Sequence, residues 1–221
     1  MKRRPEPELM DEAEQALAYA RADFSEPNEL FLRLLRELRP GDLVGARALD
    51  LGCGPADIVL RFLEAYPSAE CDALDGSAAM LEHAREALAA WPGAARRCRL
   101  IQDCLPSASL PRAAYDLVLS NSLLHHLHDP QVLWRTVGEV ARPGALVLIM
   151  DLMRPPSAMR AESLVATYAA DAPEVLRRDF RNSLFAAFEP KEVAAQLLEA
   201  GLGTLEVGVV SDRHLAVFGR P

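Results

Sequence analysis

The sequence predicts an α/β fold in which a mostly parallel sheet carries helices on both faces and an antiparallel strand hairpin ends the chain. Three observations predict it. Short apolar runs alternate with stripes of apolar residues at helical spacing along most of the 221 residues. A glycine turn, at Gly52 and Gly54, follows one of the first apolar runs. Two further runs close the chain with only three residues between them.

Four helices are predicted by apolar residues spaced three or four apart, because this spacing places them on one face of a helix. The stripes are Leu30, Phe31, Leu34, Leu35 and Leu38; Ile58, Val59, Phe62 and Leu63; Met80, Leu81, Ala84 and Leu88; and Leu133, Val137 and Val140. Proline and glycine end the first stripe at Pro40-Gly41 and the fourth at Pro143-Gly144. We expect Asp129 to cap the fourth helix and strand five to cover Ala145 to Leu152.

The C-terminal part of the chain decides the direction of its last strands. A helix is predicted from Pro190 to Ala200, with the proline in its first turn and Gly201 as its C-cap. Two apolar runs follow, Leu205 to Val210 and His214 to Phe218. The three residues between them are too few for a helical crossover, so the runs are expected to pair antiparallel.

The turn within Ala48 to Asp57 has the composition of a ligand cradle. Glycines adopt positive φ readily and carry no Cβ, so a cofactor can lie against main-chain amides at the start of the following helix. Asp75 comes 25 residues after Asp50 and closes a second apolar run, Ala69 to Leu74. A carboxylate there can accept two hydrogen bonds from a ribose diol. The two features together predict a site for a nucleoside-type cofactor.

The spacing of the glycines discriminates between cofactors. A dinucleotide fingerprint requires a third glycine where this chain has Asp57, whose carboxylate would repel a diphosphate. No Gly-Lys-Ser/Thr follows, which excludes a phosphate-binding P-loop. An S-adenosyl cofactor carries a sulfonium and an ammonium group and tolerates acidic neighbours. The pattern therefore favours an S-adenosyl cofactor over a nicotinamide one.

Over roughly residues 40 to 155 the chain resembles the class I S-adenosylmethionine-dependent methyltransferases, and within them the small-molecule branch that includes the ubiquinone and menaquinone biosynthesis enzymes. The motifs that carry the resemblance are Asp50-Leu51-Gly52-Cys53-Gly54-Pro55-Ala56, Asp75-Gly76-Ser77, Ile101-Gln102-Asp103-Cys104, Tyr115-Asp116-Leu117-Val118-Leu119-Ser120-Asn121 with Leu124-His125-His126-Leu127, and Arg142-Pro143-Gly144-Ala145. One departure is Ala56, where the family usually has its third glycine. We expect the turn to survive the extra methyl group.

The resemblance implies a Rossmann-like, seven-stranded, mostly parallel sheet whose reversed seventh strand belongs to the C-terminal hairpin. It implies S-adenosyl-L-methionine as cofactor, S-adenosyl-L-homocysteine as product and no metal. The residues expected at the cofactor are Tyr19, Asp50, Gly52, Cys53, Gly54, Asp75, Gly76, Ser77, Met80, Asp103, Cys104, Ser120 and Asn121.

The histidines after the fourth strand are the candidates for chemistry. His125 is the expected catalytic residue, as a proton acceptor or acceptor contact, with a structural histidine as the alternative. His126 is expected at the substrate. A metal site formed by His125, His126, His128 and Asp129 is disfavoured, because the side chains of neighbouring residues at a helix start are expected to diverge.

The flanks are expected to cover the site within a single domain over residues 1–221. Residues 1–40 would form an N-terminal helical cap, with Tyr19 reaching the cofactor or holding its helix to the core. Residues 153–188 would form a substrate lid, with Tyr168 at the substrate; a helical cover for the sheet is the alternative.

Bulk composition narrows the class of protein. A formal charge of −8 argues against nucleic-acid binding, so a small-molecule acceptor is expected. Half of the residues are hydrophobic, but no uninterrupted run approaches the roughly 20 needed to span a bilayer. Four cysteines without a Cys-x-x-Cys pair and no signal-peptide pattern indicate a cytoplasmic protein. The charged residues between 151 and 191, Asp151 and Arg154 among them, are interpreted as a solvated mixed surface.

Three functions remain open at this stage. The first is methyl transfer to a small-molecule acceptor by in-line displacement, the second a regulatory protein that binds the cofactor without turnover, and the third a different reaction on the same cofactor. The acceptor, its reacting atom and the oligomeric state are not encoded in a recognisable pattern.

Overall fold

The computed structural model describes residues 1–41 and 43–221. Seven strands are found there: β1 (Arg47–Leu51), β2 (Glu70–Asp75), β3 (Cys98–Gln102), β4 (Tyr115–Asn121), β5 (Ala141–Leu152), β6 (Glu206–Val209) and β7 (His214–Gly219). The helices are α1 (Ala13–Arg21), α2 (Ser25–Leu38), α3 (Asp57–Ala65), α4 (Ala78–Ala89), α5 (Pro92–Ala95), α6 (Gln131–Val140), α7 (Ala158–Tyr168), α8 (Glu174–Ala186) and α9 (Pro190–Glu199). A single 3-10 turn covers Leu124–His126.

The strands form one sheet in the order β3-β2-β1-β4-β5-β7-β6. The first five run parallel, with Leu49 of β1 opposite Asp72 of β2 on one side and Val118 of β4 on the other. Strand β7 is antiparallel to β5, placing Leu215 opposite Asp151, and it pairs antiparallel with β6. The α/β fold with its mostly parallel seven-stranded sheet and C-terminal hairpin is confirmed.

Alternate residues of each strand enter two different cores, because side chains alternate across a sheet. Ala48 packs with the buried side chains of α2, α3 and α4, in a cluster that includes Phe31 and Phe62. Leu49 packs with α6 and α9, in a second cluster that includes Trp134 and Leu197. Helices therefore cover both faces of the sheet and leave its carboxyl edge for ligands.

At two helix ends the predicted capping residue lies one position outside the cap, because the C-cap of α9 is Ala200 and the N-cap of α6 is Pro130. Gly201 follows α9 with φ +74°, and the backbone N–H of Leu202 donates to the carbonyl of Leu197 at 2.8 Å. At α6, the Asp129 carboxylate accepts from the backbone N–H of Gln131 at 3.0 Å. Both features could be predicted from the sequence because Asp129 and Gly201 affect the backbone only within a few residues of their own positions.

Strand β5 begins earlier than predicted. It starts at Ala141, which pairs with Tyr115, and the pairing register shifts before Leu117 lies opposite Leu146. The predicted turn at Pro143-Gly144 lies inside this irregular stretch, where Gly144 has φ +77°. Proline and glycine thus mark a strand irregularity here, while α6 had already ended at Val140.

Residues 153–188 fold mainly as α7 and α8, in agreement with the helical cover given as the alternative for this segment, for which no helix bounds were predicted. The two helices have a small core of their own, which includes Ala161, Leu164 and Leu184 and packs on Leu152 at the end of β5. None of the helices in the described ranges is long and apolar enough to cross a membrane.

Candidate active site

The strand order reverses between β1 and β4, which is the position where open α/β sheets bind ligands. A cavity of about 540 Å³ opens there. Its wall is built from the carboxyl ends of β1, β2 and β4, from the N-terminal residues around Glu8 to Asn28, and from Tyr168 to Ser183 of α7 and α8. The predicted cap and lid segments both contribute to this wall.

The glycine turn after β1 has the backbone that its composition predicts. Gly52 and Gly54 have φ +73° and +52°. A Cβ on Gly52 would lie 2.9 Å from a methyl carbon of Leu123, whereas a Cβ on Gly54 would enter open space. Ala56 adopts φ +72° at the start of α3, so the turn is retained despite the methyl group.

Asp75 ends β2 beside this turn and ties it in place. One of its carboxylate oxygens accepts from the backbone N–H of Gly54, and the other from that of Ser77, both at 2.8 Å. Burial raises the pKa of Asp75, although these two hydrogen bonds oppose the shift. Each carboxylate oxygen retains a further lone pair for a hydroxyl donor from the cavity.

Two buried oxygens at the adjoining end of the site have no hydrogen-bond partner: Oδ1 of Asp50 and Oδ1 of Asn121. Both residues line a small cavity of about 40 Å³ together with Gly52 and Gly54. Burial, and then the charge of Asp75, raises the pKa of Asp50 to about 8. An unpaired buried acceptor costs free energy, so a cationic donor is the group that this corner lacks.

These residues fit an S-adenosyl cofactor. The carboxylate of Asp75 matches a ribose diol, the open space at Gly54 leaves room against the backbone, and the unpartnered oxygens of Asp50 and Asn121 match an ammonium group. Asp57 also lines the small cavity, where its carboxylate would oppose a diphosphate.

Most of the residues predicted at the cofactor surround these two cavities. Ten line the larger one: Tyr19, Gly52, Gly54, Asp75, Gly76, Ser77, Met80, Asp103, Cys104 and Asn121. Asp50 and Cys53 line the smaller one. The structure does not bring Ser120 to either cavity; its hydroxyl is buried and donates to the carbonyl of Leu51 at 2.7 Å. The position of Ser120 inside β4 explains this, because neighbouring strand residues face opposite ways.

Several of these side chains are already engaged. The Ser77 hydroxyl accepts from the backbone N–H of Met80 and lies 2.9 Å from the carbonyl of Met10, so it caps α4 and holds the N-terminal segment. Asp103 binds the hydroxyls of two serines, which holds the pKa of its carboxyl below the usual range. Tyr19 stacks on Phe24 at 4.6 Å between ring centroids.

The other end of the larger cavity has a buried histidine–carboxylate pair. Nδ1 of His125 lies 2.5 Å from Oδ1 of Asp151, and both side chains are at most 3% exposed. Asp151 also accepts from the backbone N–H groups of Leu124 and Leu152. Burial lowers the pKa of His125, but the charge and hydrogen bond of Asp151 outweigh it, so the net shift is upward. The pair can orient the ring and stabilise a proton on it.

His126 stacks on His125, with ring centroids 4.2 Å apart. Burial, followed by the charge of His125, lowers the pKa of His126 to about 3, so its ring is neutral. Glu6, from the N-terminal segment, lies against both rings, and the nearest donor atoms of the three residues all fall within 4.8 Å of one another. The expected divergence of the histidines is therefore wrong for His125 and His126, because the tight 3-10 turn keeps their rings together.

Tyr168, predicted at the substrate, lines the cavity from the end of α7. Its hydroxyl donates to Asp212 at 3.1 Å, and its ring lies 3.4 Å below the guanidinium of Arg213. Arg213 is buried and forms an ion pair with Glu26 at the start of α2. Three distant segments thus contribute to the cavity wall on this side, through Glu26, Tyr168 and Arg213.

The sequence analysis missed Asp151 and Glu6. The interpretation of a solvated mixed surface is wrong for Asp151 and Arg154, which are 1% and 6% exposed. Arg154 is paired with Glu189 and Glu192. A signal for Asp151 was present, because it lies near the end of an apolar run as Asp50 and Asp75 do. No local signal marked Glu6, which reaches the site from far away in the sequence.

The sheet order and the cavity at the glycine turn are those that the resemblance to the class I methyltransferases implies. The family model described as "Methyltransferase domain" matches residues 49–147. The match covers 99 of the 221 residues, including the glycine turn and β4, and it agrees with the resemblance to the class I S-adenosylmethionine-dependent methyltransferases.

Named relatives support the same class. An uncharacterized methyltransferase of Mycobacterium bovis is 29% identical over 107 residues, which are 48% of this chain and 51% of that protein. A ubiquinone biosynthesis O-methyltransferase of Xanthomonas euvesicatoria is 28% identical over 73% of this chain and 64% of its own length. A trans-aconitate 2-methyltransferase of Azoarcus is 33% identical over 47% and 38%. The chain thus spans about half the length of the first of these relatives.

Solved structures show the same fold across nearly the whole chain. A SAM-dependent methyltransferase from Aquifex aeolicus superposes with a TM-score of 0.66 and 19% identity, covering 94% of this chain and 97% of the other. A putative S-adenosyl-L-methionine-dependent methyltransferase from Methanococcus maripaludis gives a TM-score of 0.72 at 16% identity, covering 97% and 95%.

Proposed function

We propose that this protein transfers the methyl group of S-adenosyl-L-methionine to an oxygen atom of a small-molecule acceptor. One observation carries the proposal. The glycine turn, Asp75 and His125, whose Nδ1 is paired with buried Asp151, line the same cavity of about 540 Å³. A cofactor held at the turn and an acceptor held at the histidine therefore share one enclosed space.

The residues that would hold the cofactor are those with unused hydrogen-bonding capacity. Asp75 would accept from the ribose hydroxyls, and the partnerless oxygens of Asp50 and Asn121 would accept from the ammonium group. Tyr19 and Phe24 close the site from α1 and the start of α2. The bound cofactor supplies a methyl group on a sulfonium, which is a good leaving group.

At the acceptor end, the side chains of the protein would position the acceptor and remove the proton from its hydroxyl group. His125 would take the proton of an acceptor hydroxyl through Nε2, and Asp151 would hold the ring by Nδ1 and stabilise its charged form. His126 and Tyr168 would contact the acceptor from the cavity wall. Alignment of the reacting groups and exclusion of water can contribute about 7 to 11 kcal/mol, so little covalent catalysis is required.

An oxygen acceptor is favoured by the relatives whose names state one. The Xanthomonas relative is a ubiquinone biosynthesis O-methyltransferase, and a relative from Legionella pneumophila is a malonyl-[acyl-carrier protein] O-methyltransferase. The net charge of −8 supports a small molecule rather than a nucleic acid as acceptor. The four cysteines are free, which supports the proposed cytoplasmic location.

Calorimetric titration with S-adenosyl-L-homocysteine tests the cofactor site. We expect Asp75→Ala to weaken binding by about 1 to 3 kcal/mol, because the ribose hydroxyls lose their acceptor. The matched control is Asp72→Asn on the same strand, which breaks the contacts of Asp72 to Arg47, Arg99 and Tyr115 at the other end of β2. The control should lower stability and leave this affinity unchanged. Equal affinities for wild type and Asp75→Ala would reject the assignment.

A turnover assay tests the reaction. Wild-type protein is incubated with S-adenosyl-L-methionine and a panel of phenols, carboxylic acids, thiols and amines, and product masses are measured. The proposal expects a methylated phenol or carboxylic acid. His125→Ala should lower the rate while the affinity for S-adenosyl-L-homocysteine stays within about twofold. A product gaining a group other than methyl, or methylation confined to thiols or amines, would contradict it.

A further inference from the structure

Three side chains from two distant parts of the chain converge beside the acceptor end of the cavity. Oε1 of Glu6 lies 3.6 Å from Nε2 of His125 and 3.5 Å from Nδ1 of His126. The side chains are 10%, 3% and 13% exposed, respectively. Both histidines line the cavity, so the group is accessible from the space where the acceptor would lie.

The two distances from Glu6 are close to those between the ligand atoms of a metal centre, and all three ligand atoms lie within 4.8 Å of one another. Ligand atoms about 2.0 to 2.1 Å from a tetrahedral Zn²⁺ lie about 3.3 to 3.4 Å from one another, close to the two distances from Glu6. Two histidines and one glutamate are also a ligand set that catalytic zinc sites use, with the fourth position left open. In the metal-free protein the carbonyl of Pro7 accepts a hydrogen bond from Nδ1 of His126 at 3.3 Å, so a metal ion would displace the proton of that nitrogen.

The surrounding hydrogen bonds orient the group as a metal site requires. Asp151 accepts from Nδ1 of His125, which leaves the Nε2 lone pair directed toward Glu6. The Ser183 hydroxyl donates to Oε1 of Glu6 at 2.9 Å and fixes that carboxylate. The nearby cation, Arg3, directs its guanidinium to the carbonyls of His125 and Leu127.

We propose that Glu6, His125 and His126 form a site for a divalent metal ion of the Zn²⁺ type, with an open coordination position toward the cavity for an oxygen of the acceptor. Ligation through Nε2 would replace the proton-accepting role proposed for His125 above, which then applies only to the metal-free protein. In the metal-bound protein the cation lowers the pKa of the acceptor O–H group, the oxygen binds as an anion, and its proton leaves to solvent. The site itself does not depend on methyl transfer, but its role at the acceptor rests on the proposed function.

The test is calorimetric titration of the full chain, freed of metal by a chelator, with Zn²⁺. It is done in the His83→Asn background, because His83 and Glu86 form a surface pair 3.4 Å apart that offers an adventitious site. We expect one equivalent of Zn²⁺ to bind. Glu6→Gln and His126→Asn should each weaken binding by more than about tenfold, and Asp151→Asn, which acts through His125, by about 10- to 100-fold. Co²⁺ should show the visible absorption of tetrahedral coordination, which both ligand variants lose.

The affinity for S-adenosyl-L-homocysteine is measured in the same samples, so that failure of the metal site can be distinguished from failure of the proposed function. Retained affinity in Glu6→Gln and His126→Asn shows that these variants are folded. Absence of Zn²⁺ binding in the wild type, or unchanged binding in both ligand variants, overturns the metal site while leaving the cofactor site intact. Zn²⁺ binding without S-adenosyl-L-homocysteine binding would instead uphold the metal site and overturn the proposed function.

Discussion

Asp50 is a buried carboxyl group whose hydrogen-bonding capacity is not fully used by the protein itself. It is 1% exposed, one of its oxygens has no partner, and its pKa is raised to about 8 by burial and by the charge of Asp75. The folded protein therefore keeps a proton on Asp50 where the unfolded chain has released it. An ammonium group in the small cavity would reverse this preference.

The pH dependence of stability follows from this shift. Between the usual pKa of an aspartate and about 8, the folded state binds more protons than the unfolded state, so the free energy of unfolding falls as pH rises, by up to about 1.4 kcal/mol per unit. We expect Asp50→Asn to remove this loss. In thermal unfolding from about pH 5 to about pH 8, the melting temperature of Asp50→Asn should rise relative to wild type as pH increases, while S-adenosyl-L-homocysteine binds more weakly.

Asp72 provides the opposite case as a control. Burial acts to raise its pKa, but hydrogen bonds from Arg99, Tyr115 and Arg47 outweigh it and lower the pKa of Asp72 overall. Asp72→Asn should therefore destabilise the protein near neutral pH. If Asp50→Asn destabilised the protein at pH 8 as Asp72→Asn does, the raised pKa of Asp50 would be contradicted.

At the scale of elements, the side chain of Arg3 makes several of the contacts that hold the N-terminal segment to the site. The guanidinium of Arg3 donates to the carbonyls of Ala186, His125 and Leu127 and lies 3.9 Å over the ring of Phe188. These contacts join the segment that carries Glu6 to the 3-10 turn after β4 and to the end of α8. Arg3 therefore fixes this segment against the turn that carries His125, and its own side chain does not line the larger cavity.

Removing this side chain should loosen the segment. We expect Arg3→Ala to lower the free energy of unfolding by about 1 to 3 kcal/mol, because three carbonyls lose a charged donor. Hydrogen exchange should become faster around the 3-10 turn as well. The matched control is Arg4→Ala, whose guanidinium lies 5.0 Å over Phe185 and should cost less than about 1 kcal/mol. Equal losses in the two variants would show that the Arg3 hydrogen bonds do not hold the segment.

The elements that the sequence predicted are those with local signals. Apolar periodicity located α2, α3, α4 and α6, and the short Ser211-Asp212-Arg213 connection determined the antiparallel hairpin. The residues at the cofactor end could be predicted for the same reason, because the glycines and Asp75 directly follow or end apolar runs. Helices α7 and α8 have apolar residues at helical spacing, such as Leu176, Phe180 and Leu184, but a helical cover was only the alternative for this segment and no helix bounds were predicted.

The residues that surround His125 could be identified only from the tertiary structure. His125 was identified from its motif, but its partner Asp151 is on β5, and Glu6 is more than a hundred residues away. Contacts of such sequence separation leave no periodic trace in a single chain. The sequence also did not predict correctly in which direction neighbouring side chains point, because the rings of His125 and His126 lie together instead of diverging.

Over the whole molecule, carboxylates accumulate at one edge of the sheet. Asp50, Asp75 and Asp151 lie near the carboxyl ends of β1, β2 and β5, and Asp57 starts the helix after the glycine turn. The protein as a whole has a formal charge of −8. This arrangement suits a ligand with a cationic group and opposes one with a diphosphate.

Thermal unfolding of the intact protein tests this discrimination. A ligand present at about 100 times its Kd stabilises the folded state by about 2.7 kcal/mol, which for a chain of this size raises the melting temperature by about 5 to 10 °C. We expect S-adenosyl-L-homocysteine to produce such a shift and NAD⁺ at the same concentration to produce none, because the carboxylates at the turn repel its diphosphate. The shift should shrink in Asp75→Ala and persist in Asp72→Asn, which loses stability without losing the site. A shift with NAD⁺ but not with S-adenosyl-L-homocysteine would mean that the acidic edge recognises a different cofactor.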